Sequence, residues 1–367
     1  MLIARAPLRI SLAGGGTDLE PYYAKYGGVV VSATINKYFY VFLSRTIDDA
    51  VQISSSDFRL FERRASGQEL SPDGDLGYLK AILHEFGVQH GVSVFTACEI
   101  LPGTGLGSSS TVAVALVKAL ATLCQRQPSK QEIAELASYL EIAKLGRPIG
   151  LQDHFAASFG GLNCIEFGPH STRVTPLRLP LETRSSLERN ILLFFTGSAR
   201  SASTILAEQR RSTAAADSVV IQNLHGIKAY AIEVTKALAE GSLRRIGEIL
   251  HESWQRKKQL AQGVSNERID SAYQLALDRG AVGGKVAGAG GGGFLLLYCE
   301  PDYQDAVTAA LEAEGLARLG FHFDDGGAQV LVNSMPEIPG ITYPSMPEVG
   351  ATGYPRGRWT ATGTAFA

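Results

Sequence analysis

The stretch Leu101-Pro-Gly-Thr-Gly-Leu-Gly-Ser-Ser-Ser110 governs the reading of this chain. Before it, Val94-Phe-Thr-Ala-Cys-Glu-Ile100 is a β-branched and aromatic run with the composition of a strand. After it, Thr111 to Leu123 carries Ala, Val and Leu at helical spacing, which predicts a helix opening near Ser108 or Ser109. Gly103, Gly105 and Gly107 let the main chain approach an anion closely and turn its N–H groups inward. The serines are suited to cap the helix, whose positive end would face the same anion. Strand, glycine loop and capped helix together predict a triphosphate cradle made by Pro102, Gly103, Gly105, Leu106, Gly107, Ser108, Ser109 and Ser110. Two better-known loops are excluded. No lysine follows Gly107, as a Walker A loop requires, and the third glycine comes one residue early for a dinucleotide fingerprint.

An ordinary strand-to-helix turn of small residues would also look like this, but two further glycine clusters weigh against it. One is Ala6-Pro-Leu-Arg-Ile-Ser-Leu-Ala-Gly-Gly-Gly-Thr-Asp-Leu19, and the other is Lys285-Val-Ala-Gly-Ala-Gly-Gly-Gly-Gly-Phe294, followed by the strand-like Leu295 to Tyr298. Each glycine costs backbone entropy, so three such loops beside apolar strands are more than turns need. The three segments, in this order, resemble the three motifs of the GHMP small-molecule kinases, over about residues 3 to 334. The resemblance implies a two-domain α+β fold, with a ribosomal-S5-like N-terminal domain, a C-terminal sheet-and-helix domain and the active site in the cleft between them.

Composition is compatible with that expectation. The chain has 367 residues, enough for two packed domains, with 45% hydrophobic and 19% charged residues. A net charge of −2 leaves no footprint for nucleic acid or an acidic membrane surface. The start Met1-Leu-Ile-Ala-Arg-Ala-Pro7 lacks a signal-peptide layout and no apolar run reaches spanning length, so a cytoplasmic protein is expected. Cys98, Cys124, Cys164 and Cys299 show no metal or redox spacing and read as reduced core thiols. The seven histidines form no metal constellation.

Along the chain, Val29 to Leu43 reads as two strands with Asn36-Lys37 at their turn, and Arg59 to Gly77 as a polar surface excursion. Helical periodicity covers Tyr78 to His90, Lys130 to Leu145, Ala202 to Arg211, Ser218 to Ala239, Ser242 to Gln262 and Ile269 to Arg279. The expected organisation is an ATP-binding domain over residues 1–175, a second domain over 176–334, and a Pro/Gly-rich tail over 335–367, flexible or extended.

Chemistry is expected at Glu141-Ile-Ala-Lys-Leu-Gly-Arg-Pro-Ile-Gly-Leu-Gln-Asp-His-Phe155, where a helix ends in a Gly/Pro turn and presents Asp153. From the residues alone, Asp153 could equally cap a following helix. GHMP sugar kinases with a catalytic aspartate carry it in a Gly-x-x-Asp-Gln context, and Gly150-Leu-Gln-Asp153 falls on that pattern, with His154 in place of the usual glutamine. The resemblance therefore implies that Asp153 is the general base, paired with Arg9, and that ATP is held with Mg2+ on Ser110 and Glu141. It further implies that Asp18 binds sugar hydroxyls beside Gly15, Gly16 and Thr17, and that the third loop, with Gly290 and Gly291, lies against the acceptor and the transferring phosphate.

Within the family the nearest likeness is to the D-glycero-D-manno-heptose 7-phosphate kinases. It rests on Gly14-Gly-Gly-Thr-Asp-Leu19, Gln152-Asp-His-Phe-Ala-Ala-Ser-Phe-Gly-Gly-Leu-Asn163, Thr196-Gly-Ser-Ala-Arg-Ser-Ala-Ser203 and His251-Glu-Ser-Trp-Gln-Arg-Lys-Lys258. The family's lysine before the glutamine is Leu151 here. A phosphorylated sugar needs a second anion site, for which Arg200 among its serines is a suitable clamp, with Lys257 and Lys258 adding charge. Trp254 reads as core rather than as a stacking platform. The implied reaction makes a heptose 1,7-bisphosphate from a small-molecule sugar phosphate. Rival readings are a fucose- or galactose-type kinase of a neutral sugar, a catalytically silent sugar sensor, and, as the poorest fit, a nicotinamide-dependent oxidoreductase.

Overall fold

A computed structural model describes residues 1–71, 73–74, 76–198 and 203–345. The chain opens with β1 (Leu2–Ala13), α1 (Glu20–Tyr26), β2 (Gly28–Arg45), β3 (Val51–Ser55), β4 (Leu60–Arg64), α2 (Gly77–Glu85) and β5 (Val92–Cys98). It continues through α3 (Ser108–Leu123), α4 (Lys130–Ser138), a π-helical turn (Tyr139–Lys144), α5 (Gln152–Phe159), β6 (Leu162–Phe167), β7 (Thr172–Pro176), α6 (Leu181–Asn190) and β8 (Ile191–Phe195). The remainder comprises α7 (Ser203–Ala214), α8 (Ser218–Glu240), α9 (Leu243–Lys257), α10 (Glu267–Asp278), β9 (Gly283–Val286), β10 (Phe294–Tyr298), α11 (Pro301–Ala313), β11 (Ala317–Leu319) and β12 (Gln329–Asn333). No helix among these is long and apolar enough to cross a membrane.

The strands form an eight-stranded mixed sheet, in the order β12-β1-β2-β5-β3-β4 with β6 attached to β2 and β7 to β6, and a four-stranded antiparallel sheet in the order β11-β8-β10-β9. This is the expected two-domain α+β architecture. The predicted turn at Asn36-Lys37 is instead a bulge inside one long strand. Pro7 faces Tyr38 and Leu8 faces Ile35, so residues 36 and 37 loop out of the ladder. Asn36 then exchanges hydrogen bonds with His322, its N–H donating to the His322 carbonyl at 2.8 Å and its Oδ1 accepting from the His322 N–H at 2.8 Å. The extra residues bend β2, so that its first half pairs with β6 and its second half with β5.

β1 contributes to two hydrophobic cores. Leu2, Ala4 and Ala6 pack under α2, α3 and α4, whereas Leu8, Ile10 and Leu12 join a second core with Ala231, Val234 and Leu238 of α8 and Ile246, Ile249 and Leu250 of α9. Each leucine, isoleucine and valine among these contributes about 1.5–3 kcal/mol on full burial, so this strand is anchored on both sides. The division by sequence position is less tidy than the expected 176–334 domain, because β12 returns to pair with β1 of the first sheet. The expected flexible tail begins as packed chain. Ile338 is buried in the first core, Tyr343 meets the Phe86 ring edge-on at 5.7 Å, and the Thr342 N–H donates to the Phe86 carbonyl at 2.9 Å. Residues 346–367 lie outside the described residues.

Candidate active site

The phosphate-loop segment leaves β5 and enters α3 at Ser108, as its sequence predicts, but the cap differs from the expected one. Gly107, in the left-handed region, holds the N-cap position, and no side chain caps the helix. The first intrahelical bond is donated by the Thr111 N–H to the Gly107 carbonyl at 3.0 Å, so the N–H groups of Ser108, Ser109 and Ser110 have no acceptor within the helix. An uncapped N-terminus of a 16-residue helix, opening into the same cavity as Gly103, Gly105 and Gly107, has the free donors and the dipole that suit an anion. Leu106 is buried in the core below, and its carbonyl accepts from the Arg9 N–H at 3.0 Å.

Arg9 organises the centre of this cavity. Its Nη1 donates to the Gly105 carbonyl at 2.6 Å, while Nε and Nη2 lie 2.7 and 2.6 Å from Asp153 Oδ1. Asp153 is not a helix cap. It sits in the first turn of α5, whose N-cap position is held by Leu151. With Oδ1 committed to Arg9, Oδ2 takes no hydrogen bond among the described residues, and the carboxylate is 21% exposed beside Gly107. It is therefore an acceptor facing the phosphate loop.

Asp18 stands next to it. Its Oδ1 accepts from the Gly16 N–H at 2.9 Å and its Oδ2 from the Gln152 N–H at 3.2 Å, leaving lone pairs on both oxygens for vicinal hydroxyls. Burial, and then the neighbouring Asp153 charge, push its pKa up, while the two backbone N–H groups pull it down. Gly150 makes this placement possible, because a Cβ there would fall directly on Asp18 Oδ2. Gly150→Ala should therefore displace the Asp18 carboxylate and raise the sugar KM roughly 10-fold or more, the scale of a lost charged hydrogen bond, with nucleotide affinity little changed. Steady-state kinetics with both substrates varied would check this, and an unchanged sugar KM would remove Asp18 from sugar binding.

Gly15, Gly16 and Gly290 also line the cavity, but two expected substrate residues do not. The Thr17 hydroxyl is used internally, lying 2.8 Å from the Gly14 carbonyl and 3.0 Å from that of Val29. Gly291 turns its N–H to the Val264 carbonyl at 2.8 Å. Pro102 lies off the lining, and Arg200 is outside the described residues.

Glu141 is fully buried on the π-helical turn, behind the start of α3. A carboxylate only accepts, so His154 Nε2, 2.7 Å from Glu141 Oε2, carries the hydrogen of that bond. Arg147 Nη1 donates to Glu141 Oε1 at 2.8 Å and to Ser109 Oγ at 2.9 Å. Burial would raise the Glu141 pKa, but the His154 hydrogen bond and charge, Arg147 and the Ser110 hydroxyl together hold it below the ordinary range. His154, a departure from the family pattern in sequence, is thus the residue that fixes this carboxylate. The described residues contain no group of three or more His, Cys, Asp or Glu suited to a metal. One carboxylate with the Ser109 and Ser110 hydroxyls still suits a hard cation that takes its remaining ligands from phosphate oxygens and water.

Two buried lysines complete the cavity. The pair at the end of α9 divides: Lys258 turns outward to Asp270 at 3.5 Å, whereas Lys257 is buried and donates to the Gly288 carbonyl. Lys285 enters from β9 and escaped the sequence reading, although it stands directly before the third glycine cluster. Trp254 is fully buried core, as expected.

Family models for the GHMP kinases N terminal domain and the GHMP kinases C terminal match residues 76–161 and 234–317. D-glycero-alpha-D-manno-heptose 7-phosphate kinase from Campylobacter jejuni is 35% identical over 316 residues, 84% of this chain and 93% of that protein. L-fucokinase/L-fucose-1-P guanylyltransferase from Bacteroides fragilis is 30% identical over 83% of this chain, which spans only 35% of that longer protein. Among solved structures, a D-glycero-D-manno-heptose 1-phosphate kinase from Bacteroides thetaiotaomicron superposes with a TM-score of 0.76 at 29% identity, covering 91% of this chain and 99% of the other. Both family models match this chain, as does a 35%-identical relative over nearly its whole length, and the chain belongs to the GHMP kinase family of ATP-dependent kinases.

Proposed function

We propose that the protein transfers the γ-phosphate of Mg-ATP to the anomeric hydroxyl of D-glycero-D-manno-heptose 7-phosphate, giving the 1,7-bisphosphate. The observation that carries the phosphoryl-transfer reading is the Arg9–Asp153 pair, which points an uncommitted carboxylate oxygen at an uncapped helix N-terminus. The choice of acceptor is supported by the two heptose kinases among the similar proteins.

In this reading the N–H groups of Ser108 to Ser110 and the glycine loop hold the triphosphate, and Asp18 positions the sugar. Asp153 Oδ2 accepts the proton of the anomeric hydroxyl as its oxygen bonds to phosphorus. Arg9 holds that carboxylate in place and, through the Gly105 carbonyl, fixes it relative to the loop. Phosphoryl transfer proceeds through a loose transition state, so alignment and charge neutralisation carry most of the rate. Glu141, Ser109 and Ser110 would hold Mg2+, whose chemistry is to neutralise the phosphate oxygens. Before any ion can use Glu141 Oε1, Arg147 must give up part of its hold there.

A second reading, a kinase of an unphosphorylated sugar, is favoured by the 30% identity to the fucokinase relative. Turnover of ATP with Mg2+ by the purified protein separates the two. Heptose 7-phosphate should exceed free heptose, fucose and galactose in kcat/KM by at least ~10²-fold, the worth of one or two charged hydrogen bonds to a phosphate. Turnover confined to a neutral sugar would retain the kinase and reject the acceptor.

A further inference from the structure

Lys285 is 4% exposed and Lys257 is 9% exposed, and both line the catalytic cavity. Lys257 has one neutral partner, the Gly288 carbonyl, and Lys285 has no hydrogen bond or ion pair among the described residues. Ser253 stands one helical turn before Lys257 on α9, is also buried, and lines the same cavity, so a hydroxyl accompanies the ammonium group. A buried charge without a counter-charge is expensive, and two of like sign in one cavity more so. The chemistry that relieves this is a dianion with several oxygens.

We propose that Lys257, Lys285 and Ser253 form a second phosphate subsite, which takes the phosphate monoester already carried by the sugar. The inference rests on the proposed acceptor being a sugar phosphate. Two observations favour the sugar's phosphate over the transferring one. The acidic group whose charge acts on Lys257 is Asp18, the sugar-binding carboxylate. The nucleotide's phosphates already have the uncapped N-terminus of α3. The electrostatics agree: burial and then the Arg9 charge push Lys257 down to about 8, and burial, Lys257 and Arg9 hold Lys285 well below its ordinary range. A bound dianion would reverse both.

The test is isothermal titration of the full chain and of Lys285→Met and Lys257→Met, each with D-glycero-D-manno-heptose 7-phosphate, the unphosphorylated heptose, and a non-hydrolysable ATP analogue with Mg2+. Each variant should lose roughly 10- to 100-fold in affinity for the 7-phosphate, with less than about threefold loss for the other two probes, and Lys285→Arg should recover most of the loss. Without ligand, Lys285→Met should melt above the wild type, because it removes an unpaired buried charge. A lysine kept only for packing would melt lower when replaced, and that result would count against the subsite. Equal losses for phosphorylated and free heptose, or a loss confined to the ATP analogue, would overturn it. Should the wild type prefer the 7-phosphate and the variants keep that preference, the subsite falls and the acceptor stands. If another sugar phosphate binds in place of heptose with the same sensitivity to the variants, the acceptor falls and the subsite stands.

Discussion

Asp153→Asn should lower kcat by about 10²–10⁴-fold while leaving the affinities for ATP and sugar within a few-fold of wild type. The substitution is nearly isosteric. The variant side chain can keep its carbonyl oxygen towards Arg9, where Oδ1 now accepts from Nε and Nη2, and then presents an amide nitrogen to the cavity where Oδ2 stands. That amide donates and cannot take a proton, so the hydroxyl must lose its proton without help. On the proposed reading binding should survive, because the loop and the helix N-terminus would hold the triphosphate and Asp18 the sugar, and the backbone hydrogen bonds of Asp18 do not involve Asp153. Initial rates together with equilibrium titration of both ligands would check this. A kcat within tenfold of wild type would move the base to another group, and undiminished function in cells would favour a silent sugar sensor over an enzyme.

The parts of this site that were legible in the sequence are those fixed by local chain geometry. The order strand, glycine loop, helix over residues 94–123 is a local pattern, and the structure reproduces it to the first helical residue. Asp153 was legible as a position but not as an environment. Sequence spacing gave no sign that it lies inside the first turn of α5 instead of capping it, since both arrangements follow a Gly/Pro break. The Glu141–His154 bond joins residues thirteen apart across a π-helical turn and a loop, and a 3.6-residue periodicity predicts neither the wider turn nor its partner. Lys285 was not singled out because burial is what sets it apart: nothing in Gly-Gly-Lys-Val shows that β9 buries the lysine in the cavity lining. Composition misled at residues 335–345 for a related reason. Prolines and glycines mark a segment unable to form a core alone, but Ile338 and Tyr343 use one that already exists.

Gly105→Ala should abolish nucleotide binding and destabilise the fold, and the reason lies in how the phosphate loop and the third glycine cluster meet. The Phe294 N–H donates to the Thr104 carbonyl at 3.1 Å, and Gly105 lies against Ala287 and Gly288 so closely that a Cβ would land on the Ala287 carbonyl. Main chain therefore touches main chain, and no side-chain rotation can make room. Gly105 also has a φ of 85°, which costs an L-residue about 1–2 kcal/mol in addition. Forcing the loops apart adds about 1–3 kcal/mol of overpacking strain. It also moves the Gly105 carbonyl that fixes Arg9 beside Asp153. Gly315→Ala supplies the comparison, because Gly315 has a φ of 78° but nothing within 4 Å of its would-be Cβ. It should show the backbone cost alone and keep full activity. Denaturant melts of both variants, with titration of an ATP analogue, isolate the contact term as their difference. If Gly105→Ala bound nucleotide as well as Gly315→Ala, the two loops would be free to separate, and their contact would not be what holds the phosphate cradle in register with the base.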